Sequence, residues 1–67
     1  MIISDFTEIE LDNYRRLCNF VGNERTVFEM RSRGISLERI AEKIDMSVDG
    51  AKRISRKVNN KIARVHF

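Results

Sequence analysis

The sequence predicts an all-α domain of four helices, the last two joined by a very tight turn. Three observations predict it. Apolar residues recur at three- and four-residue steps, and no run alternates long enough to suggest a strand. Proline is absent and glycine occurs only three times in 67 residues, so nothing reads as a linker, a barrel or a low-complexity tail. Residues able to cap a helix by accepting a bond from a free backbone N–H stand ahead of each periodic stretch. The length allows one small domain, and 42% hydrophobic with 34% charged residues suits a helical core under a wet surface.

Residues 1–21 read as an N-terminal helical segment whose first five residues are frayed or extended. Thr7 or Asp5 can cap its helix, with Glu8 and Glu10 in the first turn where the helix dipole favours acids. Leu11, Tyr14, Leu17, Cys18 and Val21 make one apolar face, and Gly22 reads as a left-handed cap that ends it. A scaffold helix spans 23–33. Asn23 caps it, Val27, Phe28 and Met30 supply its buried face, and Gly34 closes it. Ile35 tucks into the core ahead of the next cap.

Residues 36–58 hold two short amphipathic patterns. Ser36 caps the first, which runs from Leu37 to about Ile44 with Leu37, Ile40, Ala41 and Ile44 inward. Glu38, Arg39, Glu42 and Lys43 form its outer face. Glu38–Glu42 and Arg39–Lys43 are like-charge pairs at i, i+4, so packing must hold this helix. Ser47 caps the second, which extends to about Val65 along a stripe of Ala51, Ile54, Val58, Ile62 and Val65. Between them, Asp45-Met46-Ser47 is too short for anything but a turn, and Met46 is placed to plug the gap between the helices. Two such helices, unable to bury their own faces, read as a helix-turn-helix.

Charge is unevenly spread. The chain is +3 overall, but residues 1–20 carry four acids against Arg15 and Arg16, a net −2. Residues 50–67 carry Lys52, Arg53, Arg56, Lys57, Lys61 and Arg64 with no acid, a net +6. A charge run alone is a solvated face. Set on the second helix of a helix-turn-helix, it points to a polyanion.

The run RGISLERIAEKIDMSVDGAKRISRKVNNKI resembles the helix-turn-helix of LuxR-type regulators and of domain 4 of bacterial sigma factors. Gly34, Ile40-Ala41-Glu42, Ile44, Met46-Ser47, Ala51-Lys52 and Ile54 carry the likeness, with Glu24-Arg25 and Val27-Phe28 upstream. It covers about the last two-thirds of the chain. The sigma type is nearer in extent, because the LuxR type adds a pairing helix after the recognition helix. Two positions depart from the pattern. Asp45 stands where the family has a turn glycine, and Asp is among the few other residues that tolerate positive φ. Gly50 stands where the family has a hydroxyl or larger side chain, which lowers helix propensity by about 1 kcal/mol relative to Ala.

The resemblance implies sequence-specific binding of double-stranded DNA, with the recognition helix, 48–65, in the major groove. Val48, Asp49, Lys52, Arg53 and Arg56 are the candidate base contacts. Arg and Lys donate to guanine, Asp49 accepts from cytosine N4 or first pairs with Arg53, and Val48 meets a thymine methyl. Ser47, Gly50, Lys57, Lys61, Arg39 and Lys43 are the candidate phosphate contacts, joined by Arg64. Gly50 reads equally as a close-approach position and as a weak point in the helix. A domain this small needs a homodimer or a partner protein for useful specificity.

Two other readings stand beside this one: a protein-interaction module docking on RNA polymerase through Glu8–Val21, and a terminase-like DNA-packaging subunit. In the first, the bland alternative is that this helix completes the core. Catalysis, metal and cofactor find no support in the residues. One Cys, one His and scattered acids make no zinc site. Cys18 reads as a small buried hydrophobe and His66 as a solvated terminal side chain. Tyr14 and the four Phe residues read as core, not as a base-stacking platform. No apolar run approaches the ~20 residues of a membrane span, Met1–Asp5 lacks a signal-peptide pattern, and a lone cysteine fits a reducing cytoplasm.

Overall fold

Apolar periodicity and caps produce the expected helices, with shifted ends. The computed structural model describes residues 3–65. Among them every regular element is helical: one 3₁₀ turn at Ile3–Asp5, then α1 (Glu8–Leu17), α2 (Asn23–Ser32), α3 (Leu37–Lys43) and α4 (Val48–Val65). The long α4 packs against both α2 and α3 and, less extensively, against α1. Phe28, Val27, Ile40, Val58 and Ile62 are fully buried at the centre. Tyr14 and Phe20 are buried beside them and Phe6 packs against them, with Phe6–Tyr14 and Phe20–Phe28 ring centroids 5.0 and 4.7 Å apart. These aromatics are core. None of the described helices is long and apolar enough to cross a membrane.

The start of the chain is not frayed from residue 3 onward. Ile3 is buried, and the 3₁₀ turn packs on α2. Met1, Ile2, His66 and Phe67 lie outside the described residues, so the solvated terminal role read for His66 lies there too. Thr7, not Asp5, caps α1. It does so through a reciprocal capping box, in which its hydroxyl accepts from the Glu10 N–H and its own N–H donates to the Glu10 carboxylate.

The first helix ends four residues earlier than its periodicity suggests. Cys18 is extended (φ −86°, ψ 131°), and residues 18–21 alternate buried, exposed, buried, exposed. Cys18 and Phe20 therefore enter the core as a strand-like link would send them, while Leu17 and Val21 stay outside. Gly22 does take positive φ (56°), but it precedes α2 and does not close α1. Asn23 is accordingly the first helical residue and not the cap.

Helices α2 and α3 close in the same way. After α2, the Gly34 N–H donates to the Arg31 carbonyl and the Ile35 N–H to the Met30 carbonyl. After α3, the Asp45 N–H donates to Glu42 and the Met46 N–H to Ala41. Both are Schellman caps, which need one left-handed residue. Gly34 supplies it at φ 77° and Asp45 at φ 58°. Asp45 is the single non-glycine residue with positive φ among the described residues, a conformation that Asp tolerates better than most side chains.

Candidate functional site

The turn from α3 to α4 places the basic surface. Ser36 accepts from the Arg39 N–H at 3.4 Å and Ser47 from the Gly50 N–H at 3.1 Å, so each helix starts on its expected cap. Small residues are buried on both helices, Ala41 on α3 and Ala51 on α4, which allows a close approach. The buried stripe of α4 is Ala51, Ser55, Val58 and Ile62, with Ile54 and Val65 half-buried at its flanks. Ser55 escapes a reading based on apolar residues alone, although its 4-3-4 spacing with Ala51, Val58 and Ile62 is a visible signal.

Met46 does not plug the gap between the helices. It is 41% exposed and lies across the first turn of α4. A Cβ on Gly50 would stand 2.7 Å from its terminal methyl, and its sulfur lies 3.7 Å from the Asn23 amide nitrogen at the start of α2. Gly50 thus makes room for Met46, a third role beside the two read from the sequence.

Lys52, Arg53, Arg56 and Lys57 are all exposed on the side of α4 away from its buried stripe. Among the described residues none of them forms an ion pair, although the Lys57 charge adds a small downward pull on the Glu24 carboxyl. The expected Asp49–Arg53 pair does not form, so Asp49 is also free and exposed. Val48 is half-buried, whereas Ser47 is exposed beside it. On α3, Arg39 and Lys43 are exposed and line a depression with Met30, Ile35 and Glu42. The structure thus brings the candidates of 47–57 onto one short stretch of helix, with Arg39 and Lys43 on the helix packed beside it.

Lys61 does not join them. Its ammonium donates to the Glu24 carboxylate and to the Asn19 carbonyl, the latter at 2.6 Å. It ties the C-terminal half of α4 to the extended link and to α2, and supplies a donor that the link's backbone lacks. This bond holds the Glu24 carboxyl below the usual carboxylate range. A second tether was also invisible in the sequence. Arg15 grips Glu29 through two bonds of 2.6 and 2.8 Å, sits 5.9 Å from the centroid of the Phe28 ring, and also meets Asp12. That grip lowers the Glu29 carboxyl as well. The partners lie 14 and 37 residues apart, so no local pattern announces them.

Burial pushes the Cys18 thiol up, against a smaller downward pull from Lys61, which keeps it protonated and unreactive. Among the described residues no group of three His, Cys, Asp or Glu is placed to hold a metal ion. No protein family, curated protein or solved structure matches the chain.

Proposed function

We propose that α3, its turn and α4 act as a helix-turn-helix that binds double-stranded DNA in a sequence-specific way, in the service of transcriptional control. One observation carries the reading. Four exposed cations crowd into six residues at the start of α4 and none forms an ion pair, whereas Arg15 and Lys61 are each paired with a carboxylate. A protein gains nothing for its fold by crowding unpaired like charges on one helix face. Phosphates and base edges are the partners that relieve them.

In this reading Arg53 and Arg56 reach base edges, where each can donate two bonds to guanine. Lys52 joins them, and Asp49 is free to accept from cytosine N4 because Arg53 does not hold it. Val48 is half-buried and contributes a glancing contact with a thymine methyl. Lys57, Arg39 and Lys43 meet phosphates, as does Ser47 at the start of the helix. Lys61 is withdrawn from this set because its ammonium is spent inside the fold. Gly50 is given no phosphate contact, since its Cα faces the Met46 methyl.

Selection of bound sequences from random duplexes, followed by a salt titration on the winner, tests the proposal. Enrichment of a recurrent motif is expected. Log affinity should also fall linearly with log salt, with a slope of about −0.9 per phosphate neutralised. Steep salt dependence without enrichment would replace the regulator with a sequence-blind binder such as a packaging subunit. A flat salt response would overturn DNA binding altogether.

A further inference from the structure

The side of α1 facing away from the core carries a pattern that solvent exposure does not explain. Leu11 and Tyr14 bury one side of this helix. Counting about 100° per residue from them, Ile9 and Arg16 fall at the middle of the opposite side, flanked by Asp12 and Asn13. Ile9 is 76% exposed there, and Leu17 is 56% exposed two turns further on. Two parallel ridges result, each stepping by four residues. One reads Ile9, Asn13, Leu17. The other reads Glu8, Asp12, Arg16. Along the first, apolar side chains flank a central amide. Along the second, charge changes from acid to base.

We infer that α1 is the interface of a homodimer, in which two copies of this helix pack antiparallel about a two-fold axis at Asn13. The order of residues on the ridges favours a second copy over any other partner. Setting Asn13 against itself brings Ile9 level with Leu17 of the second copy, and Leu17 level with its Ile9. Arg16 then falls on the same flank as Asp12 of the second copy and within two residues of it along the axis, so opposite charges meet twice. A two-fold interface requires this self-complementarity, with each contact repeated in reverse. Antiparallel pairing also sets each helix dipole against its opposite. Asn13 already accepts from Arg16 at 2.7 Å, which holds that guanidinium along the same face. None of the residues proposed to contact DNA lies on α1, so a pair of domains would keep both basic surfaces.

Ten residues of helix span about 15 Å, well short of the ~800 Å² per partner of a standard interface. The free protein should therefore dissociate at about 0.1–1 mM. Sedimentation equilibrium without DNA, from about 10 µM to about 1 mM, reads this directly. Wild type should pass from monomer to dimer across that range. Ile9→Lys should remain monomeric, and thermal melts should show it folded, because the side chain serves no core. Arg16→Glu alone and Asp12→Arg alone each set like charges together and should each weaken association by about tenfold or more. Mixing these two variants should restore association, since their charges are then complementary again. A wild type monomeric throughout, or association unmoved by Ile9→Lys, would overturn the interface, as would a charge-swapped mixture that stays monomeric. Because no DNA is present, this outcome is independent of whether the DNA reading holds.

Discussion

Two sets of cations in this small domain have opposite habits, although Arg16, Arg25, Arg31 and Arg33 on or beside α1 and α2 also form no ion pair. Around α1, the link and α2, Arg15 and Lys61 are each held by a carboxylate and work as tethers. At the start of α4, Lys52, Arg53, Arg56 and Lys57 are exposed and held by none. Lys61 belongs by sequence to the second group and by geometry to the first. The comparison teaches that a charge run is not one functional unit. The same helix commits Lys61 to the fold and leaves its first cations unpaired, and the packing of α4 against α2 and the link decides which is which.

The largest expected effect falls on the scaffold beneath the free cations. Ala41 is 3% exposed on α3 where that helix meets α4. Ala41→Leu should overpack the contact and cost about 1–3 kcal/mol. A thermal melt unchanged within error would mean that the helices do not approach closely there, and the support for the basic surface would need another explanation.

Lys61→Ala and Lys57→Ala sharpen the division directly. Loss of Lys61 removes the side-chain donor from the Asn19 carbonyl and leaves the Glu24 carboxylate with the Val21 N–H, and should destabilise by about 1 kcal/mol. The salt slope of DNA binding should not change. Loss of Lys57 should leave the melt alone and reduce that slope by about one unit. The opposite assignment of effects would erase the boundary between the two groups.

A smaller effect appears in acid. Glu24 and Glu29 titrate below the ordinary 4.5 in the folded protein, chiefly because Lys61 and Arg15 donate to them. A carboxylate with a lowered folded pKa stabilises fully above its unfolded value and loses that contribution as pH falls through the folded one. The melting temperature should therefore fall as pH drops below 4.5. Glu29→Gln should be less stable than wild type at neutral pH and lose less on acidification. Both side chains keep partial solvent access, which limits the size of the effect. A melting temperature flat down to pH 3 would show that the tethers contribute nothing.

Much of the fold was legible because capping and periodicity are local. Thr7, Ser36 and Ser47 each cap a helix, Gly34 and Asp45 each close one, and α4 runs as far as its stripe. Errors arose where local signals were ambiguous or partners were distant. Cys18 and Val21 continue a helical spacing from Leu11, yet four alternating residues fit an extended link equally well. Gly22 marks positive φ in either case, so sequence placed the conformation but not the helix it serves. Met46 could not be located without knowing that Gly50 leaves a space beneath it. In the candidate site, the exposed cations of 52–57 followed from the angle opposite the apolar stripe. Lys61 sits on the same helix, but its fate depends on Glu24 and Asn19, both far away in sequence.

The central claim is that the untethered cations read sequence and do not merely attract phosphate. Arg53→Ala tests it by titration on two duplexes at fixed salt, one the selected site and one unrelated, with a thermal melt alongside. The expected loss is about 1–3 kcal/mol on the selected site and much less on the unrelated duplex, with the melt unchanged. Equal losses on both duplexes would mean that Arg53 touches phosphate alone, and the claim that this helix reads bases would fail.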